Sequence, residues 1–546
     1  MHSTSGPVSL VASSLLIVAS GQTLYQPCPL LRAYYPGPTL DKDSETVKSF
    51  TQEFTGVFDD LIASGGRDDF GAITPNTTSF SVVLFSGADS AEADPVFFEY
   101  HYTATALNGT SNVSAQTVFP VGGLTQLFTV YTWLVEAGDE SWESPITEFL
   151  PELSNANATT SSSEYDIGLT VDWDSVTVGS LASHMSGLVR DSNACSIFED
   201  CDKQKFLDAI FSSVPYFLPD TTPIISNAAF QLLAYAIESK TGRSFSDALS
   251  SSVLDALNMT QTGLLSPSTA VFGGQPPKNF TSSGAGDPAA QSLYASTADL
   301  AKAGHAMLSS ALLAPSQTRR WLSQPAADTS NLRNGVGRPW EIYHAGRLAN
   351  SSILDVYTKT GSIGRWSSYF GLAPDFGAGF AILAHDADTP GAPDLNVYAD
   401  VVSLALVALE GAAAAEMAAR YAGEFVSDGA KAVLDVADGG PGLVVEELVV
   451  AGLDVRGEAA ARLEVEVGSL DFRLYPSNVV SGGLQQFVAV FQDRNAPADM
   501  GTPTCITWMD VGALEGIPVR FVFEMGDGGV AVGLRIPDRR ARLDRA

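Results

Sequence analysis

The spacing of apolar residues predicts the main helices and strands of the first 400 residues. Phe50, Phe54, Phe58 and Leu61 recur at helical spacing and predict an amphipathic helix over residues 47–64. Residues 127–138 are apolar around most of a helical circumference and stop at a glycine, which predicts a helix buried at the centre of a domain. Further expected elements are strands at 79–85 and 96–104, helices at 228–240 and 297–312, and a strand pair at 354–359 and 368–383.

The pattern changes after about residue 410. Residues 411–420 form an alanine-rich helix or linker, and short segments of period-two alternation follow. These predicted strands lie at 463–467, 487–491, 521–523 and 530–532, the last two joined by a glycine-rich hairpin turn at 526–529. The pattern predicts a separate all-β domain, a small barrel or sandwich, whose role the sequence does not show.

The first residues indicate secretion. Residues 8–20 form an apolar run too short to span a bilayer and suited to the core of a signal peptide, assigned to residues 1–20. An N-terminal extension would follow at 21–45. Seven Asn-x-Ser/Thr sequons support the same compartment and predict glycosylation at Asn76, Asn108, Asn112, Asn157, Asn258, Asn279 and Asn350.

The four cysteines fit an oxidising compartment. Cys195 and Cys201 are six residues apart in a polar loop and can close a local disulfide, which leaves Cys28 and Cys505 to pair across the chain. Buried free thiols are the alternative. Because no histidine lies near either close cysteine and no CxxC spacing occurs, neither a metal nor another cofactor is expected.

The composition and net charge of the chain indicate which kinds of molecule it can bind. The chain has 546 residues, of which 45% are hydrophobic and 17% charged, so a large core is expected and a disordered chain is excluded. Its formal net charge of -32 repels phosphate backbones and anionic membranes. We therefore expect a small-molecule ligand or substrate, with no nucleic-acid or membrane partner, and leave the oligomeric state open.

Several segments carry a resemblance to a known family. In chain order they are FPVGGLTQLFTVYTWL (119–134), WDSVTVGSLASHMSGLVRD (173–191), TPIISNAAFQLLAYAIESKTGRSF (222–245), SLYASTADLAKAGHAML (292–308) and VYTKTGSIGRWSSYFGLAPDFGAGFAIL (356–383). The chain resembles the serine β-lactamase and penicillin-binding-protein superfamily, and in particular its secreted fungal branch with an additional C-terminal β domain.

The resemblance implies an α/β fold with an antiparallel sheet flanked by helices, beside an all-helical subdomain. The β-lactamase-like domain would span residues 46–410 and the β-rich domain 411–546. The active site is expected between the sheet and the helical subdomain.

The family's chemistry needs a Ser-x-x-Lys motif, in which the lysine one helical turn later takes the proton of the nucleophilic serine. A Tyr-x-Asn motif assists proton transfer, and Lys-Thr-Gly on a strand binds the substrate. In this chain Gly123 occupies the nucleophile position, Gln126 the base position and Ile225 the tyrosine position. Glycine cannot be acylated, and the amide of glutamine does not titrate. The acyl-enzyme machinery is therefore expected to be lost.

What survives is expected to bind a ligand. The retained positions are Ser226, Asn227, Lys359, Thr360 and Gly361. Lys359 is the one titratable candidate, as an anion anchor or as an acid or base. Together with the open helix start at Gly123, it predicts a site for a small anionic or carbonyl-bearing metabolite.

Two enzymatic alternatives stay open. The first is non-acyl chemistry, cyclisation or isomerisation, in the tailoring of secondary metabolites, which is a role that fungal relatives suggest. The second is a hydrolase or acyltransferase with a relocated nucleophile, Ser226 or Thr125. For Ser226 a helix N-cap is the structural alternative, and for His184 it is a structural histidine with satisfied hydrogen bonds.

Overall fold

The computed structural model divides the chain into two compact units. The larger unit comprises Thr39–Ala345 and Asp355–Ala408, and the barrel unit comprises Met1–Pro38, Gly346–Leu354 and Leu409–Ala546. The structure describes residues 25, 27–30, 34–88, 94–107, 112–158, 170–191, 202–211, 213–266, 268–274, 288–323, 325–331, 333–345, 354–388, 391–436, 440–496 and 506–546, without the side chains of 155–158. The predicted signal peptide therefore lies outside the described residues.

An eight-stranded sheet, called the central sheet here, organises the larger unit. In the order in which neighbours are hydrogen-bonded, its strands are Val96–Tyr102, Thr78–Ser86, Ala378–Asp386, Trp366–Ala373, Leu354–Ile363, Glu341–Ala345, Asn334–Val336 and Ala327–Asp328. All nine residues of Thr78–Ser86 are buried. Its side chains alternate between two hydrophobic clusters, with Phe80 and Val82 in one and Val83 and Phe85 in the other. Both faces of the sheet are therefore covered.

Helices cover the two faces of the central sheet. Glu45–Ser64 and the first part of Asn396–Tyr421 pack in the cluster that contains Phe80, because their apolar residues recur at helical spacing. On the other face are Thr125–Ala137, Val178–Ala182, Lys203–Phe211, Asn227–Thr241, Phe245–Leu249, Pro288–Gln291, Thr297–Ser309 and Pro315–Trp321, with a π-helical turn at Ser250–Leu254.

Short elements complete this unit. Two small sheets are formed by Gly66–Arg67 with Gly71–Ala72, and by Phe119–Pro120 and Gly263–Leu264 on either side of Leu293–Ala295. The 3-10 turns are Thr105–Leu107, Gly122–Leu124, Ile146–Glu148, Pro151–Ala158 and Pro374–Phe376. The predicted α/β class, with an antiparallel sheet flanked by helices, is confirmed.

The helix Thr125–Ala137, called the buried helix here, lies in the core as its sequence predicts. Its first ten residues are all buried, and Gly138 follows its end. The 3-10 turn Gly122–Leu124 leads directly into it, so the expected helix start is one tight turn followed by regular helix. This turn carries the position expected for a nucleophile.

The barrel unit confirms the predicted all-β domain. Its strands, in hydrogen-bonded order, are Ala430–Asp435, Gly423–Ser427, Ala541–Arg545, Ala531–Ile536, Arg520–Met525, Leu484–Asp493, Leu470–Ser481, Leu443–Val450 and Leu453–Asp454. Ala430–Asp435 also pairs with Leu443–Val450, which closes the sheet into a barrel. Its helical segments are Val455–Leu463, Val467–Ser469, Thr507–Asp510 and Pro537–Arg539.

The single strand predicted at 368–383 is two strands, Trp366–Ala373 and Ala378–Asp386, and the strand predicted at 463–467 is wrong. Residues 463–467 were expected to be extended, yet Leu463 ends the helix Val455–Leu463 and Glu464 adopts a left-handed conformation with φ 58°. The Val465 amide then donates to the Ala460 carbonyl at 2.9 Å, which is a helix-ending geometry. The alternating valines and glutamates here face no core, since none of the five residues is buried.

The alanine-rich segment 411–420 is part of the longer helix Asn396–Tyr421. By length and composition, this helix is apolar enough to cross a membrane. Its residues Val397, Tyr398, Val401 and Val402 are, however, buried in a hydrophobic cluster of the larger unit, as in the core helix of a globular domain.

The described N-terminal residues belong to the barrel unit. The Tyr25 hydroxyl donates to Asp471 at 2.7 Å, and the Tyr35 hydroxyl donates to the Gly440 carbonyl at 2.7 Å. Cys28 is buried, and its Sγ lies 3.6 Å from Thr507 Oγ1, two positions after Cys505. Because Cys195, Cys201 and Cys505 lie outside the described residues, both disulfide pairings stay predictions.

A buried carboxylate holds this attachment. The Asp471 side chain is fully buried and accepts hydrogen bonds from Tyr25 and, at 2.8 Å, from the nearly buried Arg473. The half-exposed Arg494 lies 3.4 Å from the other carboxylate oxygen. The Asp471 carboxylate therefore has one partner in the interior, Arg473, and one at the surface, Arg494.

Asp471→Asn should destabilise the barrel unit by about 3 kcal/mol, because it leaves the buried Arg473 guanidinium without a counter-charge. Arg494→Gln is the matched control, with an expected cost below about 1 kcal/mol, since it removes only an exposed partner. Urea unfolding of both variants measures the difference. Equal losses in the two variants would contradict the assignment.

Candidate functional site

The site begins where the strand Leu354–Ile363 passes the start of the buried helix. A Cβ atom on Gly361 would lie 2.1 Å from the Val121 carbonyl oxygen and 2.7 Å from the Gly123 nitrogen, so only glycine allows this approach. Gly122 has φ +54°, and a Cβ there would meet the Ser362 backbone at 2.6 Å. This close packing brings Lys359-Thr360-Gly361 beside the Gly123 turn, as the resemblance implies.

At the positions where the resemblance implies a nucleophile and a base, the chain has Gly123 and Gln126, whose groups cannot carry acyl chemistry. Gly123 is half-buried, and a Cβ on it would lie 3.2 Å from the Thr360 carbonyl oxygen. Gln126 is fully buried, and its Nε2 donates to Asn227 Oδ1 at 3.1 Å. Asn227 Nδ2 in turn donates to Asp191 Oδ1 at 2.7 Å. A fixed chain of amides therefore replaces the proton-accepting lysine.

Ser226 caps the helix Asn227–Thr241. Its hydroxyl donates to the Val189 carbonyl at 2.6 Å and accepts from the Ala229 amide at 3.1 Å, with the residue fully buried. This is the N-cap role that was the structural alternative for Ser226. Ile225, which precedes it, is half-buried and stands where the family has tyrosine.

Thr125 faces away from the Gly123 position, as its helical offset predicts. Its hydroxyl donates to the Gly122 carbonyl at 2.7 Å and accepts from the Leu293 amide at 3.0 Å. The residue is fully buried. Both hydroxyls that could have replaced the serine nucleophile are therefore committed to backbone groups.

Lys359 is not the open cation that the sequence led us to expect. Its side chain is 1% exposed, and Nζ donates to Glu341 Oε1 at 2.5 Å and to the Thr360 carbonyl at 3.2 Å. The other Glu341 oxygen accepts from the Thr360 amide at 3.0 Å and from its hydroxyl at 2.8 Å. The lysine charge is therefore balanced within the site.

Glu341 is a residue of the candidate site that the sequence did not predict. Burial acts to raise the pKa of its carboxyl group, but the Lys359 charge and the hydrogen bonds from Lys359 and Thr360 outweigh burial and hold that pKa below its usual value. Glu341 is therefore ionised at neutral pH, and 35% of its side chain is exposed. The sequence shows a glutamate at the start of a short strand, Glu341–Ala345. It does not show that this glutamate pairs with Lys359, because the pairing depends on which strands are neighbours in the sheet.

His184 lies close enough to this ion pair to sense its charges. Its Nε2 donates to the Pro339 carbonyl at 3.0 Å, which makes it the protonated nitrogen. Burial, and secondarily the Lys359 charge, lowers the pKa of His184 to about 4, so its ring is neutral at neutral pH. His184 is buried as a structural histidine would be, but the expected satisfaction of its hydrogen bonds holds for Nε2 and not for Nδ1, which has no hydrogen-bond partner in the described chain.

The described residues contain no group of three or more histidine, cysteine, aspartate or glutamate side chains that could hold a metal ion. The candidate site therefore consists of backbone groups, amides and one ion pair. Its exposed part is Thr360, with Gly123 and Gly361 half-buried beside it. Such an arrangement can hydrogen-bond a polar ligand, but it offers no activated nucleophile at the family's position.

The fold and the order of these motifs place the larger unit in the class of β-lactamase and transpeptidase folds. A family model described as "Beta-lactamase" matches residues 88–403, and one described as "Beta-lactamase-like-like, C-terminal domain" matches residues 413–546. The first match covers more than half of the sequence. The chain belongs to the β-lactamase family.

Two curated proteins are similar to this chain. A β-lactamase-like protein of Arthroderma benhamiae is 26% identical, with 94% of each chain covered. A probable hydrolase of a Phoma species is 21% identical over 64% of this chain and 61% of its own length.

Similar solved structures include a β-lactamase/D-alanine carboxypeptidase of Yersinia pestis complexed with citrate. It has 16% identity and a TM-score of 0.49, with 66% of this chain and 99% of that chain covered. Another is the octameric penicillin-binding protein homologue of Pyrococcus abyssi, with 15% identity and a TM-score of 0.46, with 92% and 99% covered.

Gly361→Ala should destabilise the larger unit by about 3 kcal/mol, because the added Cβ meets three backbone atoms that cannot move independently. Gly56→Ala is the control in the same unit. Nothing lies within 4 Å of a Cβ there, and alanine in the helix Glu45–Ser64 should stabilise by up to about 1 kcal/mol. Urea unfolding reports both, and a neutral Gly361→Ala would contradict the close approach.

Proposed function

We propose that the protein is a secreted β-lactamase-like binding protein that holds a small carbonyl-bearing metabolite without forming an acyl intermediate. The observation that carries this proposal is the pair of substitutions at the reacting positions. Gly123 has no side chain, and the Gln126 amide is tied to Asn227. The fold is retained while the group that would be acylated, and the base that would activate it, are absent from their positions.

The hydrogen bonds of the Thr125 and Ser226 hydroxyl groups support the same proposal. A nucleophilic hydroxyl needs a base within hydrogen-bond reach and an exposed oxygen. The hydroxyls of Thr125 and Ser226 are buried and donate to backbone carbonyls, which are not bases. A relocated nucleophile at either residue would have to give up its structural hydrogen bonds first.

The ion pair favours a carbonyl over a free anion as the recognised group. The sequence left both choices open, because Lys359 could anchor an anion. Glu341 now balances that charge and is itself ionised and partly exposed. A second negative charge would be repelled by this carboxylate, whereas a neutral carbonyl can accept a hydrogen bond from backbone N–H groups at the helix start.

Exposure of the described sequons supports secretion. Asn76, Asn112 and Asn258 are exposed, as an attached glycan requires. The other four sequons have no described asparagine side chain. The apolar run at residues 8–20 supports the same compartment.

The acyl machinery is tested by intact mass after incubation with benzylpenicillin and, separately, with a fluorophosphonate. The natural protein should remain unmodified. A variant with Gly123→Ser, Gln126→Lys and Ile225→Tyr should gain one adduct per chain, because nucleophile, base and proton-transferring hydroxyl return to a retained scaffold. An adduct on the natural protein would contradict the proposal, and its position would identify a relocated nucleophile.

The second candidate function is non-acyl enzymatic chemistry, such as isomerisation in metabolite tailoring. Glu341 is the observation that favours it, because an ionised, partly exposed carboxylate beside a buried lysine can accept a proton from a bound ligand.

A culture extract incubated with the natural protein should show no change in its metabolites if the protein only binds. Conversion that Glu341→Gln reduces at least 100-fold would select the enzymatic candidate instead, since an amide cannot act as the base. Mass spectrometry of the extract measures conversion. Glu53→Gln is the matched control, because it alters an exposed carboxylate on the helix Glu45–Ser64, outside the site, and should leave any conversion in place.

A further inference from the structure

Three consecutive apolar side chains are exposed on the loop that precedes Ser226 and Asn227 in the chain. Tyr216, Phe217 and Leu218, called the apolar loop here, are 60%, 42% and 72% exposed. Single exposed apolar residues are ordinary, but a contiguous group beside a site marks a binding surface. Neither the family's motifs nor the proposed carbonyl recognition uses these residues.

Backbone hydrogen bonds hold the apolar loop against the segment 184–190. The amides of Tyr216 and Phe217 donate to the Gly187 carbonyl at 2.8 and 3.3 Å. Gly187 has φ +68°, and a Cβ on it would lie 2.1 Å from the Phe217 carbonyl oxygen. The approach therefore depends on glycine, and the loop is fixed in place along this segment.

The same segment holds the site residues at its other end. Ser226 donates to the Val189 carbonyl, and the Asn227 amide donates to the Arg190 carbonyl at 2.7 Å. Gly187 and Arg190 are three residues apart, which is at most ~11 Å of extended chain. The apolar loop and Asn227 are therefore attached to one short segment, within the length of a small molecule.

The small size of the apolar loop and the negative net charge of the chain indicate which kind of ligand covers the loop. Three side chains are too few for a stable protein interface, which needs about 800 Å² on each partner. A net charge of -32 opposes contact with an anionic membrane. An alkyl or acyl chain matches the size of the surface, and it would extend from a polar head bound at the site.

We propose that the apolar loop is the subsite for an apolar tail, so that the ligand is an amphipathic molecule with a carbonyl head and an alkyl or acyl chain. This inference rests on the proposed function, because the carbonyl head must occupy the site beside Asn227 and Thr360. Ile225, at the position where the resemblance implies a tyrosine, is half-buried and lies in the chain between the apolar loop and Asn227.

The test uses N-acetyl-, N-hexanoyl- and N-decanoylalaninamide, which share a head and differ in the tail, with decanol as the probe that lacks it. Calorimetric titration of the full chain should show affinity rising about fourfold for each methylene that contacts the loop. Decanol should bind at least 100-fold more weakly than the decanoyl probe.

Two variants isolate the loop. In Tyr216→Ser/Phe217→Ser/Leu218→Ser the dependence on chain length should vanish, while affinity for the acetyl probe stays unchanged. Leu218→Ser alone should reduce the dependence, and serves if the triple variant does not fold. Val479→Ser/Val480→Ser, at 56% and 62% exposed valines of the barrel unit, is the matched control and should bind as the natural protein does.

The outcomes separate the two proposals. Binding of the acetyl probe without dependence on chain length overturns the tail subsite and leaves the proposed function standing. The same dependence in the natural protein and the loop variants also overturns the subsite. No binding of any probe overturns the proposed carbonyl site. Sedimentation that shows a dimer lost in the triple variant would assign the loop to self-association, and would overturn the subsite as well.

Discussion

The close contact between Gly361 and the turn before the buried helix is the constraint on which the site depends. Two backbones meet there with no room for a Cβ atom. Because of that contact, a strand of the central sheet and a helix of the core share one boundary, and Lys359, Thr360 and Gly123 lie together. The contact involves only backbone atoms, so it survives when the reactive side chains change. The fold can therefore persist whichever side chains occupy the expected reacting positions.

At this boundary, hydrogen bonds and an ion pair join polar side chains at the positions where the resemblance implies reactive groups. Gln126, Asn227 and Asp191 form one chain of hydrogen bonds, and Lys359 forms an ion pair with Glu341. Each pairing avoids the cost of an isolated buried polar group or charge. The same pairings remove the free base and the free cation. The arrangement is therefore poorly suited to activating a hydroxyl group at these positions.

The sequence predicted most of the fold because its signals are local or lie within one element. The helix Glu45–Ser64 and the buried helix follow from apolar spacing, and the N-cap of Ser226 follows from residue type. The strand expected at residues 463–467 failed because alternation alone does not show whether one face meets a core. Glu341 was missed for a different reason, since its role depends on strand order in the sheet, which no local pattern encodes. The ion pair of Lys359 with Glu341 could therefore not be predicted from the sequence either.

The attachment of Tyr25 and Cys28 to the barrel unit has a consequence for the order of folding during synthesis. The barrel closes only when Ala541–Arg545, at the end of the chain, pairs with Gly423–Ser427. The partners of the first described residues, Asp471 and Gln492, are also made late. The larger unit can fold while synthesis continues, whereas the early N-terminal segment must wait for its partners. This segment would therefore stay unpaired until Asp471 and Gln492 have been made and the barrel strands have paired.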